Sequence, residues 1–303
     1  MKVFMTGGTG FVGATLTRSL LEDGHEVRIL TRPGESRRTI PAGAEVVVGD
    51  PVVRGLWQDR VSDHDVIINL AGASIFSRWN DTVKKQLRSS RILTTRHLVE
   101  ALGRNDGGGK HLLSASAVGY YGFHDEEILT EDEPPGKDFL AALAADWERE
   151  ALAAQGLGVR TVTCRFGIVL GRNGGALGQM LPLFKFWAGS PLGSGKQWFS
   201  WIHERDLAEI FLFLIRHTEI AGPVNCTAPE AVTNEVFTRV LGEVLQVPTF
   251  LPAVPGFMMK LVLGEFGDVL LQGQRVFPQK LQAAGYSFLF PTLREALTEL
   301  LSN

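Results

Sequence analysis

The chain has 303 residues, 45% of them hydrophobic and 21% charged; it can bury a full core and is not a disordered chain. Its 30 basic and 33 acidic side chains leave a net charge of −3, which gives no reason to expect a nucleic acid or an acidic membrane as partner. A small molecule is the expected ligand.

The amino terminus runs directly into a strand over Lys2–Thr6, without the basic-then-apolar pattern of a secretion signal, so a cytoplasmic protein is expected. Thr6-Gly7-Gly8-Thr9-Gly10-Phe11-Val12-Gly13 follows, satisfying both GxGxxG and GxxGxxG, and opens a helix over Gly10–Asp23. In that setting glycines allow a tight turn and close backbone approach, and the helix N-terminus offers N–H groups to a pyrophosphate. Gly7, Gly10, Phe11, Val12 and Gly13 are the expected contacts.

The second strand, Glu26–Thr31, ends in Leu30-Thr31-Arg32-Pro33. An acidic residue there would hold the ribose hydroxyls of NAD. Thr31 and Arg32, assisted by Arg37 and Arg38, suit a 2′-phosphate instead, so NADP(H) is the expected cofactor; a solvated loop arginine is the alternative.

Strands over Glu45–Gly49 and Asp65–Leu70 come next. Asp50 at the end of the first can reach the adenine amino group or be a plain turn residue. Asn69-Leu70-Ala71-Gly72 ends the second with small residues that let a cofactor cross the sheet edge. A helix over Asp81–Leu102, a strand over His111–Ser116, a helix over Asp138–Ala154 and a strand over Val159–Arg165 complete the alternation. Strands joined by crossover helices define a doubly wound parallel α/β sheet of the NAD(P)-binding Rossmann type.

That domain spans 1–170 and is completed by a strand near 223–227. Residues 171–222 and 228–303 form a smaller C-terminal substrate lobe. Glycine-rich loops at Gly171–Gly178 and Gly189–Gly195 flank an apolar Met180–Ala188 segment, and a helix is expected over Asp206–His217. Thr233 reads as the N-cap of a helix over Asn234–Leu245, and the proline-punctuated tail is helical in pieces. Val247–Met259 contains three prolines and is too short to span a membrane. Cys164 and Cys226, in apolar runs without metal or redox spacing, read as buried thiols.

The glycine fingerprint, Asn69-Leu70-Ala71-Gly72, Ser114-Ala115-Ser116 and Tyr120-Tyr121-Gly122 stand in the order found in extended short-chain dehydrogenase/reductases. Most of the chain resembles that family. Arg78-Trp79-Asn80, Ser90-Arg91, Gly193-Ser194-Gly195, Trp201-Ile202-His203 and Gly273-Gln274-Arg275 narrow the likeness to an atypical, epimerase-family (cell-division-inhibitor-like) branch with a C-terminal domain of unknown function. The resemblance implies bound NADP(H), but no particular substrate.

In the broader family a tyrosine moves a proton at the substrate hydroxyl, and a lysine four residues later activates it. Here His124, Asp125 and Phe290 lie four residues beyond Tyr120, Tyr121 and Tyr286. Counting back from Glu148 by the family spacing places Ala144 at the lysine and Leu140 at the tyrosine, and neither can move a proton. Substitute groups are Ser116, or Ser114, to polarise a carbonyl, Tyr120 or Tyr121 beside it, and His203 as a proton donor facing the nicotinamide; a strand-end hydroxyl and a core histidine are the alternatives. Trp79 and Trp201 can line an aromatic pocket or the core. Ser114 and Ala115 are placed beside the cofactor. Arg91 and Arg165 can contact phosphate or ribose, or form ion pairs; Lys137, in a Pro-Pro-Gly-Lys turn, reads as solvated. Three readings follow: an NADP(H)-dependent oxidoreductase or epimerase with a replacement base; a protein that binds NADP(H) without turnover, senses its redox state and passes it to a partner; and, last, a structural protein with a relic fold.

Overall fold

A computed structural model describes residues 1–34, 40–104, 108–172 and 174–302. Seven parallel strands make the central sheet: β1 (Lys2–Thr6), β2 (Glu26–Thr31), β3 (Glu45–Val48), β4 (Val66–Asn69), β5 (His111–Ala117), β7 (Arg160–Phe166) and β11 (Gly222–Cys226). Their order is β11-β7-β5-β4-β1-β2-β3, with every neighbouring pair parallel.

Alternation along each strand divides the core between the two faces of this sheet. Val3, Met5, Ile29, Ile68 and Leu113 pack against helices α1 (Phe11–Glu22) and α5 (Glu204–Arg216) through Leu16, Leu20, Leu207 and Phe211. Phe4, Leu30, Ile67 and Leu112 face the other way. They meet Leu98, Ala101 and Leu102 of α2 (Asp81–Leu102) and Ala151 of α3 (Phe139–Leu152). Each fully buried leucine or isoleucine contributes about 1.5–3 kcal/mol, so these two layers fix the strand order.

Most of the remaining elements form the second lobe. Short strands β6 (Ile128–Leu129), β8 (Ile168–Gly171), β9 (Trp198–Phe199), β10 (Trp201–His203), β12 (Val232–Thr233) and β13 (Arg275–Val276) pair as β10-β8, β12-β9 and β13-β6. Helices α4 (Gly175–Lys185), α6 (Asn234–Leu245), α7 (Gly256–Leu263), α8 (Phe266–Leu271) and α10 (Leu293–Leu301) accompany them, while α9 (Gln279–Ala283) packs on the central sheet through Leu281. Leu177, Phe184, Phe199, Trp201, Phe237, Leu241 and Leu297 share one core here.

Two expectations are corrected. Helices α5 and α9, expected in the C-terminal lobe of 171–222 and 228–303, pack into the core of the central sheet through Leu207, Phe211 and Leu281. The Gly171–Gly178 stretch is not a loop throughout, because α4 begins inside it at Gly175. Three of its four glycines face Phe11: a Cβ at Gly171, Gly174 or Gly175 would come within 2.4, 2.7 or 2.8 Å of that ring.

Candidate functional site

The sheet order reverses between β1 and β4, and the crevice beyond their carboxyl ends is where open α/β sheets bind ligands. Gly7 sits there with φ +73°, and a Cβ on it would meet the Leu70–Ala71 peptide at 2.7–2.8 Å. A Cβ on Gly13 would lie 2.2 Å from the Gly7 carbonyl oxygen. The loop therefore folds flat against the end of β4, and α1 starts directly behind it.

Side chains cap α2, α3, α5, α6 and α10, through Asn80, Asp138, His203, Thr233 and Thr292. Gly10, the exposed N-cap of α1, supplies no such cap, and the first turn holds no acidic residue. The amides of Phe11, Val12 and Gly13 thus keep the open, partly positive helix end that an anionic pyrophosphate needs, while the Val12 side chain packs into the core. The residues present fit a dinucleotide.

At the end of β2, Thr31 is buried and Arg32 is exposed. Arg37 and Arg38 lie outside the described residues. Asp50 closes a turn, its Oδ1 accepting from the Val52 amide at 3.0 Å, which is the plainer of its two readings.

Asn69 is wholly buried and its side chain is fully engaged: Oδ1 accepts from Thr6 Oγ1 at 2.8 Å, and Nδ2 donates to Thr95 Oγ1 at 2.8 Å and Ser114 Oγ at 3.1 Å. Direct cofactor contact by the Asn69 or Ser114 side chain is therefore corrected to a structural clasp between β1, β4, β5 and α2. Ala115 packs with Ile92 and Trp147. Leu70 is half-buried in the core, and Ala71 and Gly72 continue along the crevice.

Arg91 lies beneath Gly72, whose added Cβ would be 3.1 Å from the guanidinium carbon. It donates to the carbonyls of Leu87 and Ala73, each at 3.1 Å, and sits 5.2 Å from the Trp147 ring centroid. Burial lowers its pKa to about 10, and no carboxylate pairs with it among the described residues. Such a cation at the crevice suits an anionic ligand.

Beyond β5 a different arrangement appears. Ser116 is buried and donates to Glu148 Oε1 at 2.6 Å. Arg165, its register partner on β7, grips the same carboxylate from Nε at 2.8 Å and Nη2 at 2.9 Å. Nη1 donates to the Tyr121 hydroxyl at 2.9 Å and to the Glu131 carbonyl at 3.2 Å. Tyr121 in turn donates to Asn225 Oδ1 at 2.7 Å. A phosphate or ribose contact from Arg165 is corrected: its donors are taken by a buried ion pair. Burial alone would lower its pKa, but the bonds and charge of Glu148 raise it. Burial pushes Tyr121 up to about 12 despite the Arg165 and Asn225 bonds. Ser116 and Tyr121 are accordingly locked into the fold.

Tyr120 differs. Its ring is half-buried under Arg165, whose guanidinium carbon is 3.5 Å from the ring centroid, and its hydroxyl makes no hydrogen bond among the described residues.

His203 stands apart from this group. Its ring is buried, Nδ1 accepts from the Arg205 amide at 3.0 Å to cap α5, Nε2 lies 3.1 Å from Glu299, and Phe290 stacks on it at 4.0 Å. The proton-donor role toward the nicotinamide is corrected to a helix cap facing α10. Trp79 and Trp201 belong to separate clusters, so they do not line one pocket. Leu140, at the tyrosine position, packs beside Gly119 and in the Trp79–Phe266 cluster. Ala144 is buried in α3, and Lys137 is exposed.

Glu148, Asn225 and Glu131 are the polar residues that motif reading passed over. Glu131 is buried, with Oε1 accepting from the amides of Asn225 at 3.1 Å and Lys280 at 3.2 Å. A helix glutamate two turns past the missing tyrosine was the signal for Glu148.

A parallel sheet whose switch point carries an uncapped, glycine-lined helix start defines a protein with the Rossmann-like, NAD(P)-binding fold. The chain belongs to the NAD dependent epimerase/dehydratase family, whose model matches residues 3–226; a domain of unknown function, DUF1731, matches residues 254–300. It is 38% identical over 308 residues to the mouse (Mus musculus) epimerase family protein SDR39U1, covering 100% of both chains. The crystal structure of the human epimerase family protein SDR39U1 (isoform 2) with NADPH superposes with a TM-score of 0.87 at 34% identity, covering 100% of each chain. A nucleoside-diphosphate sugar epimerase from Corynebacterium glutamicum gives 0.78 at 32% identity, over 99% of this chain and 58% of that one. Among the described residues no helix is long and apolar enough to cross a membrane.

Proposed function

We propose that the chain is an NADP(H)-dependent oxidoreductase or epimerase acting on a small carbonyl or hydroxyl compound, with Tyr120 as its proton donor. The carrying observation is that Tyr120 alone of the three tyrosines has a hydroxyl without a partner among the described residues: Tyr121 is held by Arg165 and Asn225, and Tyr286 by Asp206. NADPH, when bound, supplies a hydride to a carbonyl carbon. The glycine loop brings the Phe11, Val12 and Gly13 amides to the pyrophosphate, Arg91 offers a cation at the crevice, and Arg32 suits the 2′-phosphate. Tyr120 gives its phenolic proton to the carbonyl oxygen and, being half-buried, recovers it from solvent. Arg165 holds the ring in place, itself immobilised by Glu148. Support for NADP(H) over NAD(H) is the basic Arg32 at the end of β2 and the NADPH named with the human relative.

The second reading, NADP(H) binding without turnover, is favoured by Leu140 and Ala144 at the dyad positions and by the engagement of Ser116 and Tyr121. One experiment separates the two. A panel of carbonyl compounds is offered to the protein with NADPH, and Tyr120→Phe is expected to lower any NADPH oxidation at least tenfold. No oxidation by any compound, with NADPH still raising the melting temperature, supports the second reading; failure of both dinucleotides to bind removes both. On the same preparation Arg32→Glu is expected to weaken NADPH at least tenfold while sparing NADH.

A further inference from the structure

We propose that Arg275, held on the ring of Trp198, is a recognition group for an oxyanion, a carboxylate or phosphate, carried by the substrate. The inference rests on the reading of the chain as acting on a small carbonyl compound.

Gly273-Gln274-Arg275 has no part in the dinucleotide crevice, yet its geometry is specific. A Cβ on Gly273 would come within 2.1 Å of the Trp198 carbonyl oxygen, so only glycine lets the two backbones lie against each other. Ser200 fastens the approach, its hydroxyl donating to the Gln274 carbonyl at 2.8 Å and accepting from the Val276 amide at 3.0 Å. The result is a guanidinium carbon 4.5 Å from the centroid of the Trp198 ring.

Arg275 is half-buried, and its guanidinium makes neither an ion pair nor a hydrogen bond among the described residues. Among the described residues, Arg28, Arg54, Arg96 and Arg165 are each matched to a glutamate. No Asp or Glu occurs between Arg172 and His203, the stretch that contributes Trp198. The indole contact engages the face of the guanidinium and leaves its N–H donors unused. Trp198 Nε1 is a second donor in the same stack, buried without an acceptor. A planar fork of N–H groups fixed on an aromatic face, with no ion-pair partner among the described residues, matches a bidentate oxyanion.

The position is right for a substrate. The Gly273 carbonyl accepts from the His124 amide at 3.0 Å, tying this segment to the loop that carries Tyr120, and Val276 packs in one cluster with Tyr120 and Tyr121. The oxyanion would anchor the molecule in the second lobe while its carbonyl faces the sheet edge.

The test uses the full chain saturated with NADPH, so that the pyrophosphate crevice is filled. Inorganic phosphate and, separately, succinate are titrated at constant ionic strength while tryptophan fluorescence and binding heat are followed. At least one anion is expected to saturate, and Arg275→Gln to weaken it at least tenfold with NADPH affinity unchanged. Arg275→Lys, which keeps the charge but loses the fork, is expected to fall between. Saturation by phosphate identifies a phosphate ester, and by succinate a carboxylate. Saturation by neither, or equal binding by Arg275→Gln, overturns the inference. If NADPH itself does not bind, the proposed function falls; if NADPH binds and the anions do not, only this inference does.

Discussion

Gly13 stands so close to Gly7 that a single methyl group on it would lie 2.2 Å from the Gly7 carbonyl oxygen and 2.6 Å from the Gly8 Cα. Both obstacles are backbone, which cannot swing aside as a side chain can. Gly13→Ala is therefore expected to cost at least about 2 kcal/mol in urea unfolding and to abolish the thermal shift given by NADPH. Gly178, inside α4 with nothing within 4 Å of an added Cβ, is the internal control. Gly178→Ala is expected to gain roughly 0.5–1 kcal/mol, because alanine restricts the unfolded chain and suits a helix better.

The Glu148–Arg165 pair makes an opposite kind of prediction. Both side chains are at most 5% exposed, so removing one partner strands a charge in a low-dielectric interior. Glu148→Ala is expected to lose about 3–5 kcal/mol, read as a lowered urea midpoint. The double variant Glu148→Leu with Arg165→Met removes both charges and is expected to recover more than half of that loss. A double variant no more stable than Glu148→Ala would mean that the network to Tyr121, rather than the stranded charge, dominates.

Protonation of His203 sets a third expectation. Burial lowers its pKa to about 4, against about 6.5 in an unfolded chain. The folded state then binds fewer protons than the unfolded state between those values. Its contribution to stability is complete above pH 6.5 and is lost as the pH falls toward 4. His64 and His111, also lowered by burial, act in the same direction, while Asp206, raised by burial, acts in the opposite one. His203→Asn keeps an N-capping side chain. It is expected to reduce the stability lost between pH 7 and pH 4.5 by at most about 3 kcal/mol, measured by urea titration at each pH.

The parts of the molecule legible in the sequence are those governed by neighbours in the chain. Runs such as Val66–Asn69 and Arg160–Phe166 are apolar enough to name as buried strands, and Asn234–Leu245 starts where Thr233 caps it. The glycine fingerprint is equally local. What stayed hidden depends on distant partners. β9, β12 and β13 have only two residues each and exist because they pair with segments far along the chain. His203 carries no mark of Glu299, 96 residues on, and Tyr121 none of Asn225, 104 residues away. A motif scan sees polar residues at the ends of strands and assigns them chemistry; the side chains bonded across the sheet decide which are left for it.

Phe11 belongs to the first turn of the helix that faces the pyrophosphate, yet its ring occupies the space that Gly171, Gly174 and Gly175 leave vacant. The start of α1 and the turn that leads into α4 are thus keyed together through this ring, as a tongue in a slot. A side chain at any of these three glycines has to displace the Phe11 ring, and with it the first turn of the helix that receives the nucleotide.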